Sequence, residues 1–193
     1  MMNRIALGSL LLISTVFSTK TFAQAEAPKF SNEFLKIGVG ARALGMSNAF
    51  IARANDVTAG YWNPAGLTEM TSDYQVSLMH SEYFAGIAAY DYAAFAHRID
   101  SMSSFGVSFI RFGVDDIPNT TQLIDSEGNI DFNRVTSFSA ADYAALISYA
   151  RKSGIEGLSY GANVKIIHRN VGDFADAWGF GLDAGARYER GKW

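Results

Sequence analysis

The sequence contains no cysteine and only three prolines, and it has no long uncharged apolar run beyond the N-terminus. Without cysteine the chain can form neither a disulfide framework nor a thiolate metal site, so packing and strand pairing must stabilise the fold. A membrane-spanning helix needs about 20 apolar residues, and no stretch of this chain reaches that length without charge. Any passage of this chain through a membrane must therefore use strands.

The first 23 residues predict a cleaved signal peptide. Arg4 supplies a positive charge, Ile5 to Phe17 forms an apolar core, and Thr21 and Ala23 are small residues at the positions that signal peptidase reads. We expect cleavage after Ala23 and export of the remaining chain. Two of the 16 basic residues, Arg4 and Lys20, lie in the signal, which leaves 14 basic against 19 acidic residues. This acidic balance argues against nucleic acid as a partner.

Residues 24–70 predict a compact, irregular segment with short helical turns. From Pro28 to Met70 the sequence shows no alternation of apolar and polar side chains and is rich in glycine and alanine. Asp56 is placed to cap one helical turn. Asn63-Pro64 combines a favoured N-cap residue with proline at the first helical position, where its missing N–H costs nothing.

Residues 71–193 predict about six β-strands, because most segments alternate two kinds of side chain. In the clearest one, Trp178 to Glu189, one face has an aromatic residue at each end with smaller apolar residues between them. The other face carries glycine and charged residues. Aromatic residues at both interfaces are typical of a strand that crosses lipid. The other strands are predicted at Tyr74–Leu78, Ile87–Arg98 with an ambiguous register, Phe105–Phe109, Tyr143–Tyr149 and Leu158–Arg169.

The connections also indicate a barrel. Short ones are predicted at 100–103, 153–156 and 172–177, and a long acidic one at Gly113–Ser137. Outer-membrane barrels have short periplasmic turns and long outer loops, so we expect the long connection to face outward. Six strands are fewer than the eight of the smallest single-chain barrels, and an open edge in lipid leaves backbone groups unsatisfied. We therefore expect an all-β, transmembrane antiparallel β-barrel of which this chain is the N-terminal part; the alternative is a piece that assembles with another chain.

Several blocks of the chain carry a family resemblance. They are Phe34–Met46, Ala54–Asp56, Tyr61–Leu67, Asp115–Thr120 and Phe138–Tyr143. These blocks resemble the PorV/PorQ family of Bacteroidetes outer-membrane proteins, a branch of the FadL-like barrels. The resemblance implies a barrel of about fourteen strands, some of them beyond Trp193, with residues 24–70 folded inside it as a hatch.

The resemblance leaves two functions open. PorV-type proteins serve type IX secretion, where they meet the translocon and receive cargo through the cargo's C-terminal signal domain. Other FadL-like proteins carry hydrophobic small molecules across the outer membrane, and both functions need the same barrel and hatch. In either case the barrel would contact outer-membrane lipid.

The candidate functional residues lie in the hatch. The resemblance implies a structural or gating role for the hatch motif, and Asn63 is expected both to cap a turn and to hydrogen-bond the barrel. The cations Lys36, Arg42 and Arg53 either line a substrate path, with Asp56 or Glu33 as partners, or satisfy acids of the barrel lumen such as Asp183. The hatch motif consists of Asn63, Pro64, Ala65 and Gly66.

No pattern in the sequence predicts an enzyme, a metal site or a cofactor. Gly38–Ala43 matches a dinucleotide-binding pattern but lacks the preceding strand and the following βαβ unit. His80, His97 and His168 share no metal-ligand spacing. His80-Ser81-Glu82 cannot form a catalytic triad, because adjacent strand residues point to opposite faces. Asp125–Asp131 offers oxygen ligands at alternate positions, but its glycine is misplaced for an EF-hand, which favours a solvated turn.

Overall fold

The structure is a computed structural model that describes residues 32–191. The predicted signal peptide, its cleavage site after Ala23 and the first residues of the predicted hatch lie outside this range. Within it, a segment of short helices precedes a six-stranded antiparallel sheet. The all-β prediction and the number of strands are confirmed.

The sheet is a meander in which each strand pairs only with its neighbours in sequence. Its strands are β1 (Tyr74–Tyr83), β2 (Ala88–Arg98), β3 (Ser103–Asn119), β4 (Thr136–Lys152), β5 (Leu158–Val171) and β6 (Ala175–Tyr188). All ladders are antiparallel, as hairpin connections require. Among the described residues β1 pairs only with β2 and β6 only with β5, so both edges of the sheet are open.

The long connection between β3 and β4 is shorter than predicted. The predicted loop Gly113–Ser137 is wrong in its bounds, because β3 continues to Asn119 and β4 begins at Thr136. The β3–β4 ladder shifts register within this extension, and Asp116 takes a positive φ of 56° there. A bulge lets a strand continue through polar residues that break its alternation. The remaining loop is 120–135, which includes a 3-10 helix at Phe132–Arg134.

The connections define two ends of the sheet. Loop 120–135 shares one end, which we call the loop end, with the short turns 84–87 and 172–174. The turns 99–102 and 153–157 lie at the opposite end, which we call the turn end.

Side-chain alternation gives the sheet two different faces. The inner face packs against the hatch, and the outer face is turned away from it. In β6 the apolar residues Phe180 and Leu182 point outward, whereas Asp183 points inward. The register of β2, ambiguous in the sequence, is now defined: Tyr90 and Tyr92 are buried on the inner face.

The described part of the hatch, residues 32–70, forms four short helices. None of the helices in the described range is long and apolar enough to span a membrane. Glycine and proline limit the length of these four helices, since both residues disfavour helix interiors. The four helices are a 3-10 helix at Glu33–Lys36, α1 (Ala41–Gly45), α2 (Ala59–Trp62) and a 3-10 helix at Pro64–Glu69.

The hydrophobic core lies between the hatch and the inner face. Phe50 and Leu67 of the hatch are buried in one cluster with Tyr90 and Leu146 of the sheet. Side chains of the inner face are small toward the turn end and large toward the loop end, so the hatch packs on the turn-end half. The small ones include Ala94, Ala96, Gly106, Ser148, Ala150 and Gly161, and the large ones Tyr83, Tyr90, Tyr92, Ile110 and Phe112.

Candidate functional site

Asn63 and Pro64 begin the last hatch helix at its contact with the sheet. Asn63 is extended, and its Oδ1 accepts a hydrogen bond from the Ala65 N–H at 3.2 Å, as an N-cap side chain does. Pro64 follows it, at a position where no intrahelical bond is lost. The Asn63 Nδ2 also donates to the Ala186 carbonyl of β6 at 3.2 Å. One side chain therefore begins a helix and attaches it to the sheet.

Pro64 leaves a carbonyl of α2 without its helical hydrogen-bond donor, and the sheet supplies another donor. A proline cannot donate to the carbonyl four residues earlier, so the Gly60 carbonyl of α2 lacks its usual helical partner. Asn163 of β5 replaces that partner, since its Nδ2 donates to the Gly60 oxygen at 2.7 Å. Asn163 is only 1% exposed, so water does not compete for this bond. A residue 103 positions further along the chain thus completes a helix of the hatch.

Two other side chains of β5 and β6 donate to hatch carbonyls. Ser159 Oγ donates to the Ala65 oxygen at 3.3 Å, and the Arg187 guanidinium donates to the Ala54 oxygen at 2.8 Å. Arg187 also pairs with Glu189 at 3.0 Å. The bond from Arg187 is charge-assisted and so stronger than a bond between neutral groups. Strands β5 and β6 therefore hold the hatch by polar contacts as well as by packing.

The contact also depends on glycine at the points of closest approach. A Cβ added to Gly161 of β5 would lie 2.6 Å from the Ala65 nitrogen and 2.6 Å from the Pro64 carbonyl carbon. A Cβ on Gly66 would collide with the Ala54 carbonyl oxygen. Backbone atoms cannot rotate away as a flexible side chain can. The hatch motif therefore fits the inner face because Gly161 lacks a side chain, and it packs within the hatch because Gly66 lacks one.

Asp183 of β6 is satisfied from within the sheet. Lys165 Nζ lies 2.8 Å from its carboxylate, and Asn163 Nδ2 lies 3.2 Å from it. The expectation that hatch cations satisfy Asp183 is therefore wrong. The sheet supplies this partner because Lys165 and Asp183 are on adjacent strands and on the same face.

Two of the candidate cations, Lys36 and Arg42, have acidic partners within the hatch. Lys36 is exposed and pairs with Glu33 at 2.8 Å. Arg42 donates to Asn55 at 3.0 Å, lies 3.8 Å from Asp56 and covers the Phe50 ring at 4.9 Å. The Asp56 carboxylate accepts from the Thr58 N–H at 2.9 Å, just before α2 begins. Arg53 is exposed and has no ion pair with the described residues.

Tyr61 and Trp62 of α2 form hydrogen bonds with residues 35–39 in the first half of the hatch. Tyr61 Oη accepts from the Gly38 N–H at 3.1 Å and donates to the Leu35 carbonyl at 2.5 Å. Burial raises the pKa of the Tyr61 phenol, which keeps it protonated and able to donate. Trp62 Nε1 donates to the Val39 carbonyl at 3.0 Å. The hatch is therefore one packed unit, and α2 connects its first half to the sheet.

The residues of the sheet that hold the hatch were not predicted. Ser159, Asn163 and Arg187 appear in the sequence only as members of a polar strand face. The signal that could have found Asn163 is Pro64, because proline leaves the Gly60 carbonyl without a local donor. The sequence cannot say which strand supplies that donor.

A family model matches nearly the whole described chain. The Uncharacterised protein family (UPF0164) matches residues 12–185. The chain belongs to this family. No curated protein matches the chain at a significant level. The family match includes the hatch motif, Ser159, Gly161 and Asn163, and it ends two residues before Arg187.

Proposed function

We propose that this member of UPF0164 is part of a hatch-filled outer-membrane β-barrel of the PorV/PorQ type, which assists protein secretion or surface attachment. The observation that carries the proposal is the contrast between the outer face of the sheet and its inner face. The outer face exposes a large apolar side chain on each of the six strands, whereas the inner face binds the hatch by hydrogen bonds, close packing on small residues and a buried apolar cluster. The exposed side chains of this outer band include Leu78, Phe95, Phe109, Ile147, Val164 and Leu182.

The outer band has the composition of a lipid-facing surface. Phe180 and Leu182 are 78% and 81% exposed, and Leu78 on the opposite edge strand is 78% exposed. Apolar patches of this extent are rare on soluble monomers. Along β6 the band runs from Trp178 to Tyr188, ten residues at about 3.3 Å each, or about 25 Å across the membrane at the usual strand tilt. That height matches the apolar band of outer-membrane barrels.

Polar pairs border the band toward the loop end. His80 of β1 pairs with Asp91 of β2 at 2.6 Å, and Arg111 of β3 lies 3.8 Å from Asp91. In the same row of the sheet, His168 of β5 stacks on Trp178 of β6, with 4.2 Å between ring centroids. Aromatic and charged groups in one row are expected where hydrocarbon meets the headgroups. The proposal therefore places the loop end at a membrane surface.

The open edges support a larger barrel. In lipid, each unpaired backbone group at β1 and β6 would cost several kcal/mol. Barrel closure through further strands, about fourteen in all as in FadL-like proteins, would satisfy them. The hatch would then fill the lumen, with its motif on β5 and β6.

Loop 120–135 is the part of the molecule best suited to bind a protein partner. Ile124 and Ile130 pair across a small hairpin, and both are exposed, as is Phe132. Asp125 accepts from the Glu127 and Asn129 N–H groups at 2.9 and 2.8 Å, which fixes the turn. An ordered loop with exposed apolar side chains can bind with little entropic cost. Its proposed partners are the type IX translocon and the C-terminal domains of cargo.

Deleting residues 120–135 from the full reading frame tests the proposal. A two-residue Asn-Gly turn can replace the loop, since it matches an antiparallel hairpin. We expect the variant to remain in the outer-membrane fraction with heat-modifiable mobility on gels, and to lose binding to an immobilised cargo C-terminal domain. Full retention of that binding would refute the role of the loop. A soluble product without a heat-dependent shift would refute the membrane assignment itself.

A second candidate is a FadL-like conduit for hydrophobic small molecules. It is favoured by the aromatic residues on the loop-end half of the inner face, where Tyr83, Tyr90 and Phe112 lie with ring centroids 6.1 to 6.4 Å apart. In this case the hatch would act as a gate. Replacing Asn63 or Pro64 by alanine would then alter uptake of a hydrophobic probe while the barrel stays folded. Unchanged uptake in a variant with verified folding would refute the gate.

A further inference from the structure

The side of α2 that faces the sheet lies against two serines of the inner face. A Cβ added to Gly60 would lie 2.9 Å from Ser148 Oγ of β4 and 3.5 Å from Ser108 Oγ of β3. Ser148 is fully buried under this contact. Because the backbone of α2 lies directly on the serine, the packing here is set by the hatch and not by the sheet alone.

Two polar atoms at this contact have no hydrogen-bond partner among the described residues. They are Ser148 Oγ and Asn163 Oδ1, and both are buried. Turning the Asn163 amide over does not help, because its Nδ2 already faces two acceptors, the Gly60 carbonyl and the Asp183 carboxylate. The docked hatch thus fixes Asn163 in the one orientation that leaves its oxygen unpaired.

The two unpaired atoms belong to residues that lie directly opposite each other. Ser148 and Asn163 are register partners in the β4–β5 ladder and share the inner face. If α2 moved away, Asn163 would be free to turn toward the Ser148 hydroxyl, and both atoms could also be hydrated. An unpaired buried polar group is costly, whereas a paired or hydrated one is not. These two unpaired atoms therefore destabilise the docked state relative to an undocked one, whereas the bond from Asn163 Nδ2 to the Gly60 carbonyl stabilises docking.

We infer that the hatch exchanges between a docked and an undocked state, and that the unpaired Ser148 Oγ and Asn163 Oδ1 favour its release. Other contacts of the same interface act in the opposite direction. Ser159 Oγ donates to the Ala65 carbonyl, so docking forms a hydrogen bond at this position. Two serines on one face of the sheet therefore have opposite effects on docking. The inference does not depend on the membrane assignment, since it rests on contacts between the hatch and the sheet.

Serine-to-alanine changes at these two positions test the inference with a matched pair. The measurement is amide hydrogen exchange of residues 59–67 in the purified full-length protein, with the amides of β1 and β2 as an internal reference. Ser148→Ala removes an unpaired oxygen, so we expect exchange in the hatch to slow by roughly 5-fold to 30-fold. Ser159→Ala removes a made bond, so we expect exchange to quicken by roughly 3-fold to 10-fold.

The results for the two variants distinguish a hatch that undocks on its own from a hatch that is only a packed part of the fold. Slower exchange in Ser148→Ala together with faster exchange in Ser159→Ala supports the inference. Faster or unchanged exchange in Ser148→Ala overturns it, because the hydroxyl would then stabilise docking or be satisfied. Hatch amides that exchange only together with those of β1 and β2 would also overturn it, since the hatch would then have no undocked state of its own.

Discussion

The two faces of the sheet are built from the same strands but follow different rules. On β6 the outer face carries Phe180 and Leu182, both largely exposed, while five residues after Leu182, on the inner face, Arg187 reaches the hatch backbone. Outside the polar row toward the loop end, the outer face is mainly apolar, and its side chains can be exchanged for others of like polarity. On the inner face each position meets a particular hatch atom, as Asn163 meets the Gly60 carbonyl.

This difference shows that the two faces place different requirements on the sequence. The outer face requires only apolar side chains, and many sequences meet this requirement. The inner face specifies one partner, the hatch, at separations of around 3 Å. Substitutions should therefore act by polarity on the outer face and by shape and hydrogen bonding on the inner face.

The largest expected effect is that of a charge on the outer face. If this face contacts lipid, Leu182→Arg should reduce the free energy of unfolding by about 3 kcal/mol, the cost of arginine near the centre of a bilayer in a barrel. The measurement is equilibrium unfolding of the full-length protein from lipid vesicles by guanidinium.

Ile155→Arg is the matched control for this change. Ile155 is also exposed, but it lies in turn 153–157 at the end of the sheet, where the same substitution should cost less than about 1 kcal/mol. Equal, small losses at both positions would show that the outer face meets water, and the contrast between the faces would need another explanation.

The next effect tests the inner face by shape alone. Gly161→Ala should reduce the free energy of unfolding by about 2 kcal/mol, because the new methyl group meets hatch backbone that cannot move aside. Gly179→Ala on β6 is the control, since the nearest atom to its Cβ is Ile167 Cβ at 3.6 Å, an ordinary contact. Thermal or chemical unfolding of both variants measures the difference. Indistinguishable stabilities would mean that the hatch does not approach Gly161 closely.

The sequence is informative about the outer face for a physical reason. A period of two in apolar residues is a local property, so Trp178, Phe180 and Leu182 predict their strand without knowledge of its neighbours. The bounds of loop 120–135 were harder to predict, because a bulge near Asp116 carries β3 through polar residues. Alternation alone cannot distinguish a bulged strand from a loop.

The inner face could be predicted only in part. The capping role of Asn63 depends on its own neighbours in sequence and was therefore accessible. The contacts of Asn163 and Arg187 depend on the register of distant strands and on the path of the hatch, which no local pattern contains. For the same reason the predicted partnership between hatch cations and Asp183 failed, since Lys165 on the adjacent strand pairs with Asp183 at 2.8 Å.

A smaller effect concerns the contact between Gly60 and Ser148. Gly60→Ala should destabilise docking of the hatch by about 1 to 2 kcal/mol, because the methyl group would lie 2.9 Å from Ser148 Oγ. In a Ser148→Ala background the next atoms are Ser108 Oγ at 3.5 Å and the Cβ of residue 148 at 3.7 Å, so the penalty should vanish. A double-mutant cycle on hatch amide exchange measures this coupling. Additive effects of the two substitutions would contradict the proposed contact.

The smallest effect belongs to a region on neither face, the hairpin of loop 120–135. Hydrogen bonds from the Asn129 backbone, then from Glu127, hold the pKa of the Asp125 carboxyl below its ordinary value of 3.8. The folded hairpin thus favours the charged form, so its stability from this group is fully present above pH 3.8 and declines as the pH falls through the lowered pKa. The Asn129 amide chemical shift should report this transition, and Asp125→Asn should abolish it while leaving hatch exchange unchanged. A change in hatch exchange would show that the loop and the inner face are coupled, and the two faces could no longer be treated as independent of the loop.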